Sequence, residues 1–124
     1  MNTVIWIIQG LLTAIFFLTG FMKVSKSKEA LSEHMGWVDS FGESQIKTIG
    51  ILEIIGAIGL VIPMLLNILP ILSVAAATGL AFTMLGAMMV HAKRKEHKEI
   101  GLNIVLFIAS VMVIVGRAYL VPVI

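Results

Sequence analysis

Glu53 is the residue best placed to do chemistry, because it is a carboxylate near the middle of an apolar stretch of membrane-spanning length, Ile46 to Pro63. A charged side chain inside a bilayer costs roughly 2.5 to 3.5 kcal/mol on insertion scales, so it normally faces a bundle interior and has a partner. Lys23 and His91 lie at the ends of two other apolar stretches. Carboxylate, ammonium and imidazole groups could together bind a polar head group or form an acid and base pair.

The elements that must position these groups are four apolar segments, each near the roughly 20 residues needed to cross a hydrocarbon core of about 30 Å. They run from about Val4 to Met22, Thr48 to Leu66, Ile71 to Val90 and Ile100 to Leu120. The composition agrees with this interpretation, since 59% of the 124 residues are hydrophobic and only 13% are charged. We predict an all-α integral membrane protein, a bundle of four transmembrane helices forming a single domain over residues 1–124.

Other features limit the chemistry. Cysteine is absent, which excludes disulfides, thiolate metal sites and thiol catalysis. The spacing of His91 and His97 with Glu96 and Glu99 fits no helical ligand pair, so no metal site is predicted. The net charge of +2 comes from residues confined almost entirely to two short connections, which favours a topological explanation over nucleic-acid binding. The first segment lacks a basic N-terminal region and a cleavage site, so we expect it to remain as a helix.

The distribution of basic residues predicts the orientation. The first and third connections, with the helix ends beside them, hold eight of the nine Lys and Arg residues, and Arg117 is the ninth. The positive-inside rule therefore predicts that both connections face the cytoplasm and that both termini lie on the extracytoplasmic side of the cell membrane. Within the first connection Ser27 could cap a short helix, and we predict an interfacial helix over about 28–38, with a solvated loop as the alternative.

This topology brings one polar group from each helix into the cytoplasmic half of the bundle. These groups are Lys23, Glu53, His91 and Asn103. We expect Lys23 and His91 to reach Glu53 from about a turn away. Two interpretations of Glu53 stay open, a ligand or partner site and a structural pin that fixes helix packing.

Small and polar residues predict further contacts between the helices. Candidate close-packing positions are Gly50, Gly56 and Ala57 beside Glu53, and Gly79, Thr83 and Ala87 on the third helix. In the fourth helix Asn103, Ser110 and Arg117 are seven residues apart, which predicts a polar stripe that faces protein rather than lipid. Gln9 and Arg117 are the polar candidates on the outer side.

The chain carries a recognisable set of motifs. It has FLTGFMK at the end of the first helix, GILEIIGAIGLVIP in the second, GLAFTMLGAMMVHAKRKE at the end of the third, and an arginine late in the fourth. This pattern resembles the DoxX-like family of small four-helix membrane proteins over nearly the whole chain, with Lys23, Glu53, His91 and Arg117 at the matching positions. The resemblance implies relatives that are membrane subunits of quinone-linked sulfur oxidation systems, partners of oxidative-stress proteins or assembly chaperones, while a broader similar group binds or isomerises sterols.

The leading hypothesis is a non-catalytic membrane protein that binds a lipophilic small molecule, quinone-like or lipid, against Glu53, His91 and Lys23, as part of a membrane redox system. A quinone is the candidate cofactor. One alternative is an assembly or interaction module that packs on a membrane-protein partner, or on a second copy, through small-residue faces. Another is a lipid isomerase that uses Glu53 and His91 as acid and base. A cavity beside Glu53 would favour binding, and a filled core with an exposed Gly and Ala groove would favour the interaction module.

Overall fold

The computed structural model of the protein describes residues 1–33 and 35–122, and within those residues every regular element is helical. The elements are α1 (Asn2–Ser25), α2 (Lys28–Ser32), a 3-10 helix (Gly36–Ser40), α3 (Glu43–Leu66), α4 (Leu72–Lys93) and α5 (His97–Val115), which continues as a π-helical turn (Gly116–Leu120). The helices α1, α3, α4 and α5 with its continuation are long and apolar enough to cross a membrane. The prediction of an all-α protein with four membrane-spanning helices is confirmed.

The four long helices form a ring around one hydrophobic core. Helix α1 packs most extensively on α3 and α4 on α5, and the ring is closed by contacts of α3 with α4 and of α5 with α1. The core takes one line of side chains from each long helix, including Leu12 and Phe16, Ala57 and Leu60, Leu80 and Met84, and Leu106 and Val113. The outward faces are rich in exposed Leu, Ile, Val and Phe, as expected for helices surrounded by lipid.

The short connection between α3 and α4 begins at Asn67, whose φ of 53° lies in the left-handed region that commonly ends a helix. Pro63 lies within the last turn of α3. Because only residues 67–71 separate the two helices, α3 and α4 must run antiparallel as neighbours, which agrees with the sequence.

The first connection folds into a small second core. Ser27 caps α2, as predicted, by accepting a hydrogen bond from the Ala30 backbone N–H at 3.2 Å. Leu31 and Val38 are buried together with Ile46 of α3. The segment of the predicted helix over about 28–38 contains α2 and the start of the 3-10 helix, with His34 between them outside the described residues.

Polar side chains are buried at both ends of the bundle. We call the end that carries the first connection and the α4–α5 connection the basic end. The predicted stripe on α5 is confirmed as a buried face, because Asn103, Ser110 and Arg117 are all enclosed. Asn103 lies near the basic end and Arg117 near the opposite end.

Candidate functional site

An ion pair between α1 and α3 lies at the basic end. The Glu53 carboxylate is only 2% exposed, and its Oε1 accepts a hydrogen bond from the Lys23 ammonium. Its Oε2 accepts a hydrogen bond from the Thr19 hydroxyl at 3.0 Å. Both carboxylate oxygens therefore have donors on α1, which offsets the cost of burying the charge. The expected contact of Glu53 with Lys23 is present.

Two glycines allow this pairing, because they bring the backbones of α1 and α3 into close contact. A Cβ atom on Gly20 would lie 2.7 Å from the carbonyl oxygen of Gly50. A Cβ on Gly50 would lie 2.8 Å from the carbonyl oxygen of Gly20 and 2.8 Å from the Lys23 Cβ. Such distances are shorter than real Cβ atoms allow, so the approach requires glycine at both positions.

The His91 imidazole is buried at the end of α4 and hydrogen-bonds to Glu96, not to Glu53. Its Nδ1 lies 2.9 Å from Oε1 of Glu96. The chain turns back after α4 through Lys95, which has a left-handed φ of 59°, and the Glu96 N–H then donates to the His91 carbonyl at 2.9 Å. This reversal brings the Glu96 carboxylate to the edge of the imidazole ring.

The charge state of Glu96 follows from these contacts. The hydrogen bond with His91 lowers the pKa of the Glu96 carboxyl below its usual range, and Arg94, whose Nε donates to Oε1 at 3.0 Å, lowers this pKa further. Glu96 is therefore a carboxylate at neutral pH. Because a carboxylate is only an acceptor, Nδ1 of His91 must carry the hydrogen between them.

Asn103 of α5 completes the polar groups of the basic end. It is 7% exposed, and its Nδ2 amide donates to no acceptor among the residues that the structure describes. A buried donor without a partner costs about 1 to 3 kcal/mol, so its presence in a native fold requires an explanation.

Two cavities meet at these polar residues. The larger, about 460 Å³, has walls from α3, α4, Trp37 and Phe41, and these walls are mainly apolar. The smaller, about 200 Å³, contacts α1 and α5 and is lined by Glu53, Glu96 and Glu99. Five residues line both cavities and so form their common boundary: Lys23, Trp37, Met84, His91 and Asn103.

The comparison with known families agrees with this architecture. The model of the DoxX-like family matches residues 7–113, which include residues from all four long helices and from the basic-end cluster. The chain belongs to the DoxX-like family. No curated protein and no solved structure matches it.

The opposite end of this DoxX-like protein holds a second polar cluster. The Arg117 side chain is 1% exposed, and its Nε and Nη1 donate to Gln9 Oε1 at 2.7 Å and Asn2 Oδ1 at 2.6 Å. The guanidinium also lies 5.1 Å from the ring centre of Trp6. Gln9 in turn donates to the Leu60 carbonyl, so the cluster joins α1, α3 and the end of α5. Gln9 and Arg117, predicted together on the outer side, are direct partners.

The predicted packing residues divide into two groups. Gly50, Gly56 and Ala57 of the DoxX-like protein pack inside the bundle, with a Cβ on Gly56 falling 2.8 Å from Leu80. On α4, Gly79 makes no such contact, since a Cβ there would meet no atom within 4 Å. Larger side chains on a different line of α4 fill the core, which leaves Gly79 facing outward. Thr83 and Ala87 line the larger cavity, and Ala87 also packs against the core.

Lys23, Glu53, His91 and Asn103 are brought together at the basic end, since all four line the smaller cavity. Three others that contribute there were not identified from the sequence as site residues: Thr19, Trp37 and Glu96. The Lys23 ammonium lies over the Trp37 ring, with the Lys23 Nζ 5.2 Å from the ring centre. The position of Thr19 one turn before Lys23, on the same face of α1, could have indicated its role. Glu96 had no such signal, because its contact depends on the left-handed turn at Lys95.

Proposed function

We propose that this protein binds a lipophilic small molecule in the larger cavity, with the polar head of that molecule against Lys23, His91 and Asn103. The volume of about 460 Å³ falls within the range of small-molecule sites, which are mostly apolar and have a few convergent polar groups. The observation that carries the proposal is the Asn103 amide, a buried donor that lines the cavity and has no partner within residues 1–33 and 35–122. A hydrogen-bond acceptor on a ligand would satisfy it.

The other polar groups at this boundary favour the same kind of head group. Lys23 supplies further N–H donors, although one is already engaged by Glu53. Glu53 supports the site from behind by holding the Lys23 ammonium. A quinone suits this arrangement because its carbonyl oxygens are acceptors and its ring and tail are apolar, so a role in a membrane redox system is part of the proposal.

The surroundings fit a ligand that enters from the bilayer. The apolar walls come from residues such as Ile49, Leu52 and Val90 on two membrane-spanning helices. Trp37 and Phe41 cover the cavity from the first connection, with their rings packed edge to face at 5.5 Å between centres. On the positive-inside rule, this basic end faces the cytoplasm.

The test uses two glycines on the same helix. Gly86 lines the larger cavity and Gly79 does not, yet a Cβ at either position would meet no atom within 4 Å. Gly86→Leu would therefore place four carbon atoms at the cavity, and Gly79→Leu would place the same atoms on the outer surface of α4. We expect native mass spectrometry and lipid extraction to recover about tenfold less lipophilic ligand from Gly86→Leu than from the wild type. Equal recovery from wild type and both variants would refute binding in this cavity.

A second candidate function is an interaction module that packs on another membrane helix. The observation that favours it is the outward Gly79, which has space around it and is preceded one turn earlier by exposed Ala75. Small residues spaced by four allow close approach of helices in membranes. The same variants separate the two functions, because Gly79→Leu should remove a co-purifying protein while leaving ligand recovery unchanged.

A further inference from the structure

The contact with Glu96 places a hydrogen on Nδ1 of the His91 imidazole. Its Nδ1 donates to the Glu96 carboxylate at 2.9 Å, and the Arg94 guanidinium holds the same carboxylate oxygen at 3.0 Å. In a neutral imidazole only one ring nitrogen carries hydrogen, so Nε2 is left as an acceptor. Nε2 makes no hydrogen bond to any described residue.

This acceptor lies on the same boundary as a donor that also has no partner in the described part of the chain. His91 is 6% exposed and lines both cavities, as does Asn103, whose Nδ2 is the unpaired amide. A head group that satisfies both must offer one acceptor and one hydrogen. A carbonyl oxygen or an ether oxygen offers only the acceptor.

We propose that the ligand of the larger cavity bears a hydroxyl group, aromatic or aliphatic, which donates to His91 Nε2 and accepts from Asn103 Nδ2. The inference rests on the proposed function and narrows it from any acceptor head to a hydroxylated lipophile. For a quinone, this is the reduced form. Glu96 acts as a positioning residue, since it is not among the residues that line the larger cavity and it fixes which nitrogen of His91 is the acceptor.

The charged neighbours of His91 are consistent with an uncharged hydroxyl rather than an acid. Three carboxylates line the smaller cavity, Glu53, Glu96 and Glu99, whereas Lys23 is the one ammonium among its lining residues. That ammonium is already paired with Glu53. With Arg94, which donates to Glu96, the groups on the side of the smaller cavity carry three negative and two positive charges, so an anionic head would gain no net attraction from that side, which disfavours a carboxylic acid ligand.

The first experiment compares 4-nonylphenol with its methyl ether, 4-nonylanisole, in which a methyl group replaces the hydroxyl hydrogen. Each is titrated into the detergent-solubilised full-length protein and bound probe is counted by native mass spectrometry, with Gly86→Leu as the baseline for nonspecific uptake. We expect the wild type to bind the phenol about 3- to 10-fold more tightly than the ether, which is the contribution of one neutral hydrogen bond. In His91→Phe the ether should bind as before and the preference for the phenol should disappear.

The outcomes separate this inference from the proposed function. Equal affinity of the wild type for the two probes, or a preference that survives in His91→Phe, would overturn the hydroxyl while leaving ligand binding intact. Failure of both probes to bind above the Gly86→Leu baseline would overturn both proposals.

A second measurement does not depend on the folding of His91→Phe. The ring-nitrogen ¹⁵N chemical shifts of labelled histidine report which nitrogen carries hydrogen. The variant is Glu96→Gln, which changes a partly exposed side chain in the connection after α4. We expect wild-type His91 to show a protonated Nδ1 and an unprotonated Nε2, and Glu96→Gln to show a mixture of forms with a reduced phenol preference. Identical ring shifts in the two proteins would refute the positioning role of Glu96.

Discussion

The ion pair of Lys23 and Glu53 gives the sharpest energetic prediction. Lys23→Met removes the ammonium but keeps an unbranched apolar side chain, and Glu53→Leu removes the carboxylate. Each single substitution leaves the other charge buried, because the side chains of Lys23 and Glu53 are only 10% and 2% exposed. The double substitution leaves no charge behind.

The magnitudes follow from burial. Removing one partner of a buried pair costs about 3 to 5 kcal/mol, whereas replacing both by apolar residues is often neutral or stabilising. Lys23→Met leaves Glu53 with the Thr19 hydroxyl as its remaining donor. We therefore expect each single variant to lose about 3 kcal/mol or more and the double variant to lose less than about 1 kcal/mol, a coupling of at least about 5 kcal/mol.

The assay is reversible unfolding in dodecyl maltoside micelles with increasing mole fraction of SDS, followed by circular dichroism. Thr19→Val is the matched control, because it deletes one hydrogen bond to the same carboxylate and leaves the charges in place. Hydrogen bonds between membrane helices average about 0.6 kcal/mol, so this variant should lose far less than either charge variant. The reasoning is wrong if the two single substitutions each cost less than about 1 kcal/mol, or if their effects add in the double variant.

Three further predictions concern helix packing and the opposite end of the bundle. Gly20→Ala should lower the free energy of unfolding by about 1 to 3 kcal/mol, because its Cβ would lie 2.7 Å from the Gly50 carbonyl oxygen. Gly79→Ala should be neutral in the same SDS unfolding assay. Equal effects of the two substitutions would contradict the close contact of α1 with α3. Gln9→Leu removes an acceptor from the buried Arg117 guanidinium and should cost about 1.5 to 3 kcal/mol. Arg117→Lys should not retain wild-type stability, since one ammonium cannot reproduce the fork of donors, and an unchanged thermal midpoint would contradict this.

The fold and the burial of the polar residues were predictable from the sequence. Four apolar segments of spanning length leave little choice of architecture, and the cost of exposing a charge to lipid requires Glu53 to face the bundle interior. The seven-residue spacing of Asn103, Ser110 and Arg117 predicted one buried face, and all three residues are buried. The spacing is a property of the sequence, and the cost of exposing a charge is set by the surrounding lipid. Neither inference therefore requires the tertiary structure.

The partner of each polar residue was less predictable, because it depends on loop geometry and on the crossing of helices. His91 was expected at Glu53, yet the left-handed residue Lys95 turns Glu96 back onto the imidazole. Gln9 and Arg117 are 108 positions apart, and only the closed ring of helices brings them together. Gly79 was expected on a close-packing face because small residues favour close helices, but spacing alone does not show which face of α4 meets the core.

The larger cavity likewise could not be predicted, since empty volume is the difference between the space that four helices enclose and the side chains that fill it. The cavity lies beside the polar cluster, which bears on whether Glu53 belongs to a ligand site or is only a structural pin that fixes helix packing. A pure packing pin would be expected in a filled core, whereas here the residues around it line two cavities.

The hydrogen bonds themselves indicate how the roles are divided at the basic end. Both oxygens of Glu53 are engaged by α1, so each already has a donor before any ligand arrives. Unused capacity lies on the other two helices, at the Asn103 amide of α5 and the His91 imidazole of α4. A ligand head should therefore depend directly on Asn103 and His91, and on Glu53 only through the position of Lys23. Loss of ligand in Asn103→Leu with retention in Glu53→Gln would follow from this division, and the reverse pattern would assign direct binding to Glu53.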